Sequence, residues 1–195
     1  MTRDDIIRDY AVKQAGAPYV YGGTGRPCTP AYRRTQMRQY PAYAGMIRDN
    51  CPVLRGEKAT CAGCRYQGLK CFDCAQLVRR ALGQADIVLP SGATSQWRSP
   101  VWKEKRAMDE QAARTVCVLF RGDGHRMQHT GLSLGDGRAA DARGHLQGVV
   151  LGAICDYPWT HYALLPGADT PPDVETRLAG LEARVQTIEE RLVNP

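Results

Sequence analysis

"KCFDCAQLVRRAL", residues 70–82, decides how this chain is read. Cys61, Cys64, Cys71 and Cys74 form two CxxC pairs, so Cys74 is either one of four metal-binding thiolates or a lone nucleophile at the start of a helix. Tetrahedral zinc takes four such ligands. The six-residue link between the pairs is shorter than in most zinc ribbons. Cys51 upstream completes an alternative set, Cys51, Cys61, Cys64 and Cys71, that leaves Cys74 out, and Cys28 is a further candidate ligand. The nucleophile reading rests on the helix. Cys74, Leu77, Val78, Ala81 and Leu82 recur at helical spacing and make one buried face, which Gly83 closes. A thiol in the first helical turn feels exposed N–H groups and the dipole, which stabilise a thiolate.

A cysteine nucleophile needs an imidazole as base and a polar group to orient it. "HTGLSLGDGRAADAR" (129–143) reads as a hairpin around a Gly-Asp-Gly turn. Pairing about Asp136 brings His129 roughly opposite 143 and near Asp141, on one face of the pair. His145 is a rival for the orienting role, whereas His125 and His161 read as surface or packing residues. "TVCVLFR" (115–121), "GVVLGAI" (148–154) and "HYALLP" (161–166) supply further strands, with Cys117 and Cys155 as buried thiols. At the other end, Thr2 and Asp5 resemble a capping box, and Ile6, Ile7, Tyr10, Ala11 and Gln14 follow at helical spacing until Gly16 and Pro18. Helices first and an antiparallel run of strands afterwards predict an α+β domain.

"GAPYVYGG" (16–23), "FDCAQLV" (72–78), "LPSGATSQW" (89–97) and "HTGLSLGDGRAADARG" (129–144) occur in the order seen in the NlpC family of papain-like cell-wall cysteine peptidases, and the chain resembles that family over residues 1–166. The resemblance implies a papain-like fold with N-terminal helices packed on an antiparallel sheet. It also implies hydrolysis of amide bonds in peptidoglycan stem peptides, with no cofactor for catalysis. By position, Cys74 resembles the nucleophile, His129 the general base and Asp141 the third residue, where relatives more often carry His, Asn or Gln. Tyr19 resembles the tyrosine that lines the site, and Asp73 the acidic residue that receives a peptide amine. Ala75 and Gln76 depart from the common Ser-Gly.

Residues 26–71 interrupt that pattern. Pro27, Pro30, Pro41 and Pro52 preclude a long helix, and apolar residues are sparse. From Gly25 to Cys71 nine Arg or Lys face only Asp49 and Glu57, a local charge of +7 in a chain whose formal charge is +6. Such a patch predicts an anionic partner at this segment. The expectation is a small insertion tied by structural zinc on Cys51, Cys61, Cys64 and Cys71, because a metal can replace a missing core.

Beyond a linker at 167–173, Val174, Leu178, Leu181, Val185, Ile188 and Leu192 keep a heptad spacing, predicting a coiled-coil helix over 174–193 that self-associates or docks to a partner. No apolar run reaches the roughly 18 residues of a membrane span, and "MTRDDIIRDYAVKQ" lacks the apolar core of a signal peptide. Together these predict a protein made in the cytoplasm and carried to the wall, as a phage tail-associated lysin is. Two other classes compete: a non-catalytic zinc module binding nucleic acid, and a papain-like amidase or acyltransferase acting on a non-wall substrate.

Overall fold

Thr2 opens α1 (Arg3–Val12) through a capping box: its hydroxyl accepts from the Asp5 N–H at 3.2 Å, and the Asp5 carboxylate accepts from the Thr2 N–H at 2.9 Å. Two N-terminal donors are thereby satisfied reciprocally. The computed structural model describes residues 1–167. The predicted coiled coil at 174–193, and all of the linker except residue 167, lie outside the described residues.

After α1 the chain turns through "PYVYGG" into β1 (Thr24–Pro27). Then come α2 (Pro30–Gln39), a 3₁₀ turn at Pro41–Tyr43 and α3 (Ala44–Asp49). No long helix forms, as the prolines require. Pro30 and Pro41 instead begin short helical segments, at positions where a missing N–H leaves no hydrogen bond unmade. Residues 50–69 run through turns alone to β2 (Lys70–Phe72), which pairs antiparallel with β1. The insertion therefore leaves and rejoins the domain along a two-stranded ribbon.

The central helix α4 (Cys74–Gly83) follows at once, capped by Asp73, whose carboxylate accepts from the Gln76 N–H at 2.8 Å. It buries Ala75, Gln76, Leu77, Val78, Ala81 and Leu82, the face that the 3–4 spacing defines. The chain continues through α5 (Ala93–Trp97), β3 (Glu104–Ala107) and α6 (Gln111–Arg114). Five strands complete it: β4 (Val116–Gly122), β5 (Met127–Leu134), β6 (Arg138–Gly144), β7 (Gly148–Ala153) and β8 (His161–Leu164).

These form a six-stranded antiparallel sheet in the order β3-β8-β4-β5-β6-β7. The run "VCVLF" does not alternate because β4 is buried on both faces. Val118 and Phe120 pack with Ile7, Val78 and Leu82 under the helices, and Cys117 and Leu119 pack with Tyr162 and Trp159 on the other side. Each fully buried side chain of this size contributes about 1.5–3 kcal/mol. Residues 1–165 make up one compact unit. Its two faces are what position the site: α4 delivers Cys74, and the β5–β6 hairpin delivers His129 and Asp141.

Candidate active site

The position of Cys74 is set by backbone pairing before any side chain is considered. Val20 N–H donates to the Phe72 carbonyl at 2.9 Å, Phe72 N–H to Pro18 at 3.2 Å, and Asp73 N–H to Gly23 at 3.0 Å. "PYVYGG" is thus laced to the residues just before α4, which brings Tyr19 beside Cys74. Gly22 sits at φ +70°, and a methyl there would lie 2.1 Å from the Tyr40 ring, so only glycine fits the turn. On the far side, Gln96 Nε2 donates to the Ala75 carbonyl and Gln76 Nε2 to Ser91 Oγ, each at 2.8 Å. Ala75 and Gln76, which depart from the family pattern, therefore anchor the 90–97 strap beneath the first turn of α4.

The hairpin register matches the sequence expectation. Leu132 pairs with Ala140 and Ser133 with Ala139, and continuing that register sets 129 opposite 143 and 131 opposite 141. His129 and Asp141 then share a face, and His129 Nε2 lies 3.1 Å from Asp141 Oδ1 with both side chains buried. Arg143 holds the second carboxylate oxygen at 3.0 Å. Trp159 stacks on the imidazole at 5.5 Å, and Tyr157 lies 5.0 Å from it on the same connection. With Nε2 engaged by Asp141, Nδ1 is the nitrogen left for proton exchange with a nucleophile. Of the two candidates for the orienting role, Asp141 is the one that engages the imidazole. His145 sits apart, its carbonyl accepting from Asn50 Nδ2.

Burial pushes the Cys74 thiol up to about 12, and the neighbouring Asp73 carboxylate adds to the rise. Backbone N–H groups of Thr130, Ala75 and Cys74 itself oppose it by donating to the sulfur. The Thr130 contact places the sulfur against β5 one residue from His129. Burial also raises Asp73 to about 6, against the N–H donors of Gln76, Gly22 and Ala75. Tyr19 is raised well above the usual phenol range, first by burial and then by the charge of Cys74 and Asp73. Its hydroxyl is therefore a neutral donor throughout the physiological range. Tyr19, Tyr21, Asp73, Cys74 and Arg126 line one groove of about 310 Å³. This groove brings a carboxylate, a thiol and a guanidinium together.

The NlpC/P60 family matches over residues 55–165. The chain belongs to the NlpC/P60 family. Among solved structures it resembles the NlpC/P60 domain of the peptidoglycan hydrolase SagA, with 16% identity and a TM-score of 0.52 over 83% of this chain and 98% of that one. It also resembles the P60 domain of an antigen from M. avium subspecies paratuberculosis, with 18% identity and a TM-score of 0.51 over 84% and 93%. A third neighbour is RipD from Mycobacterium tuberculosis, described as a non-catalytic NlpC/p60 domain protein, with 18% identity and a TM-score of 0.50 over 84% and 97%. Identities this low establish a shared fold. No curated protein sequence matches the chain.

Within this NlpC/P60 domain, Cys74, Asp73 and Tyr19 are brought together, and His129 and Asp141 are paired beside them. Cys51, Cys61 and Cys64 line a second cavity together with Cys28, whereas Cys71 is buried on β2, where its side chain hydrogen-bonds that of Cys28. Among the described residues no three His, Cys, Asp or Glu side chains already converge on one point as a formed metal site would. Arg33, counted above in the basic patch, is fully buried. Of the exposed cations there, Arg48 and Arg55 pair with Asp49 and Glu57. Arg143, Tyr157 and Trp159 carry no motif or spacing that marks them as site residues in the sequence.

Proposed function

We propose that this NlpC/P60 protein is a cysteine peptidase that hydrolyses amide bonds in peptidoglycan stem peptides, with Cys74 as nucleophile, His129 as general acid and base, and Asp141 orienting the imidazole. The observation that carries this reading is the buried His129–Asp141 hydrogen bond, set beside a cysteine at the N-terminus of α4. The Cys74 thiol passes its proton to His129 Nδ1, and the thiolate attacks the amide carbonyl. The backbone N–H of Cys74 and the Tyr19 hydroxyl, which stays protonated, are the donors at hand for the developing oxyanion. His129 then protonates the leaving amine. Water attacks the thioester with His129 as base, which restores the thiol and releases the acid.

The groove indicates which stems fit. Asp73 is ionised above about pH 6 and stands next to the nucleophile. A substrate ammonium bound there would be paired and would also cancel the repulsion that opposes the thiolate. Arg126, which lines the same groove, suits a substrate carboxylate. A stem peptide carrying a free amine and free carboxylates has both groups. Synthetic stem peptides test this: the free-amine form should be cleaved with a kcat/KM about tenfold or more above its N-acetylated form. Equal rates for the two would remove Asp73 from substrate recognition, and no cleavage of either would remove the function.

One observation favours a second reading. With its thiol pushed up to about 12, Cys74 is not primed for attack before substrate binds. RipD is described as adapted to peptidoglycan binding without catalysis. A domain of that kind would retain stem peptides without cleaving them, and the same assay with a binding readout separates the two. Carriage to the wall on a phage tail belongs to the proposal on the strength of the heptad run at 174–192 alone.

A further inference from the structure

The insertion holds a second cluster of reactive side chains, remote from the hydrolytic site in chemistry and in partners. Cys28, Cys51, Cys61 and Cys64 come from three separate places in the chain: the end of the ribbon, the end of α3, and a CxxC turn that supplies two of them. All four line one small cavity of about 10 Å³, the volume of a single water or ion. The guanidinium of Arg33 lines the same cavity.

Arg33 is the second observation. It is 0% exposed, yet among the described residues no carboxylate pairs with it. Its Nε donates to Cys28 Sγ at 3.4 Å, one terminal nitrogen donates to the Ile47 carbonyl at 3.0 Å, and the other, Nη2, has no partner. A guanidinium is always charged, and a buried charge without a counter-ion costs several kcal/mol. Neutral thiols do not offset it. Thiolates do, and several thiolates packed around one point repel each other unless a cation joins them.

The third observation concerns what holds the segment. Residues 52–65 contribute no side chain to any buried apolar cluster among the described residues. They also form neither helix nor strand. A stretch with no core and no ladder that keeps one path requires another tether, and in short segments a structural metal is a common one.

We propose that Cys28, Cys51, Cys61 and Cys64 bind one borderline-soft divalent cation, zinc being the fitting one, as a four-thiolate structural site. Cys28 takes the place that the sequence spacing assigned to Cys71. Four thiolates around a divalent ion carry a net charge of −2, and Arg33 supplies the adjacent positive charge, with Nη2 as a donor to the cluster. Binding requires the thiols to rotate inward, since zinc–sulfur bonds are about 2.3 Å. Four protons leave as the four thiols become thiolates. The site would fix α3 and Tyr43, which stacks on Tyr21 at 3.5 Å and so borders the groove beside Tyr19.

The test is zinc content of the full chain, purified without chelator, by plasma mass spectrometry, with cobalt titration of the metal-stripped protein as a second readout. About one zinc per chain is expected in wild type, in Cys71→Ser and in Cys74→Ala, and near none in Cys28→Ser or Cys61→Ser. Cobalt should give a thiolate charge-transfer band in wild type that weakens in Cys28→Ser. That readout needs no activity and uses wild type as its own control if a variant folds poorly. Wild type without zinc and without the cobalt band overturns the site. Full zinc in Cys28→Ser with loss in Cys71→Ser overturns the ligand set.

Discussion

Gly131 stands opposite Asp141 across the β5–β6 pair, and a methyl at 131 would lie 2.8 Å from the Asp141 Cβ and 2.7 Å from the Trp159 ring. The absence of a side chain at this one position is what lets the carboxylate and the indole close around His129 from two sides. Gly131→Ala must push one of them away. The expected cost is about 1–3 kcal/mol of overpacking, or a Tm lower by roughly 3–10 °C at this chain length. Activity should fall further than stability accounts for, because His129 loses its stacking partner or its acceptor. Thermal melts and kcat on the same preparation check both. A variant with wild-type Tm and kcat would mean that the hairpin is looser than described.

Asp141 acts through His129. Asp141→Asn keeps the volume and an acceptor for Arg143, but its amide can present a donor to Nε2 and so favours the wrong tautomer. A loss of about 10³–10⁴ in kcat is expected, with KM little changed, as for a group that matters in the transition state. His145→Ala should leave kcat within a few-fold. If the two variants exchanged their effects, His145 would be the orienter.

Arg143 is the outer member of the same chain, with a side chain 22% exposed against a fully buried Asp141. Removing it leaves the buried carboxylate with His129 as its remaining partner. Arg143→Ala should therefore destabilise the fold by about 1–3 kcal/mol, below the figure for a fully buried pair because water reaches this guanidinium. Urea titration of the variant is the check, and an unchanged midpoint would show that the pair contributes nothing.

Asp73 gives a pH signature with a definite sign. Its folded value, about 6, lies above the ordinary 3.8, so the folded state holds the proton more tightly than the unfolded chain does. Its stabilising contribution is full below about pH 4 and is lost as pH rises through 6, an effect on the order of 1–2 kcal/mol after allowance for partial exposure. In Asp73→Asn that decline should vanish, so that the difference between wild-type and variant stability carries it over pH 4–7, while Asn still caps α4. The same change removes a negative charge beside the sulfur. Alkylation of Cys74 by iodoacetamide should then shift to lower pH. A shift upward, or none, would place the carboxylate too far from the thiol to act on it.

Local signals carried much of the fold. The Gly-Asp-Gly turn sets a register with few alternatives, so the proximity of 129 and 141 could be worked out by counting, and the spacing of Leu77, Val78, Ala81 and Leu82 set the buried face of α4. The Thr2–Asp5 box survives in its expected form. What could not be read depends on tertiary closure. Trp159 and Tyr157 reach His129 from the connection between β7 and β8, some thirty residues along the chain from their target. Arg143 carries no periodic mark, since it lies two residues beyond Asp141 near a glycine bend. Arg33 sits among surface arginines in sequence and looks like one of them. Its burial beside the cysteine-lined cavity distinguishes it, and three separate stretches of chain build that cavity.

The central claim is best tested by mass spectrometry of purified peptidoglycan fragments after incubation with wild-type protein and with Cys74→Ala. The account predicts new stem-peptide termini with wild type, none with the variant, and matching Tm values that exclude unfolding as the reason. Cleavage that persists in Cys74→Ala, or intact stems with folded wild-type protein, would contradict it.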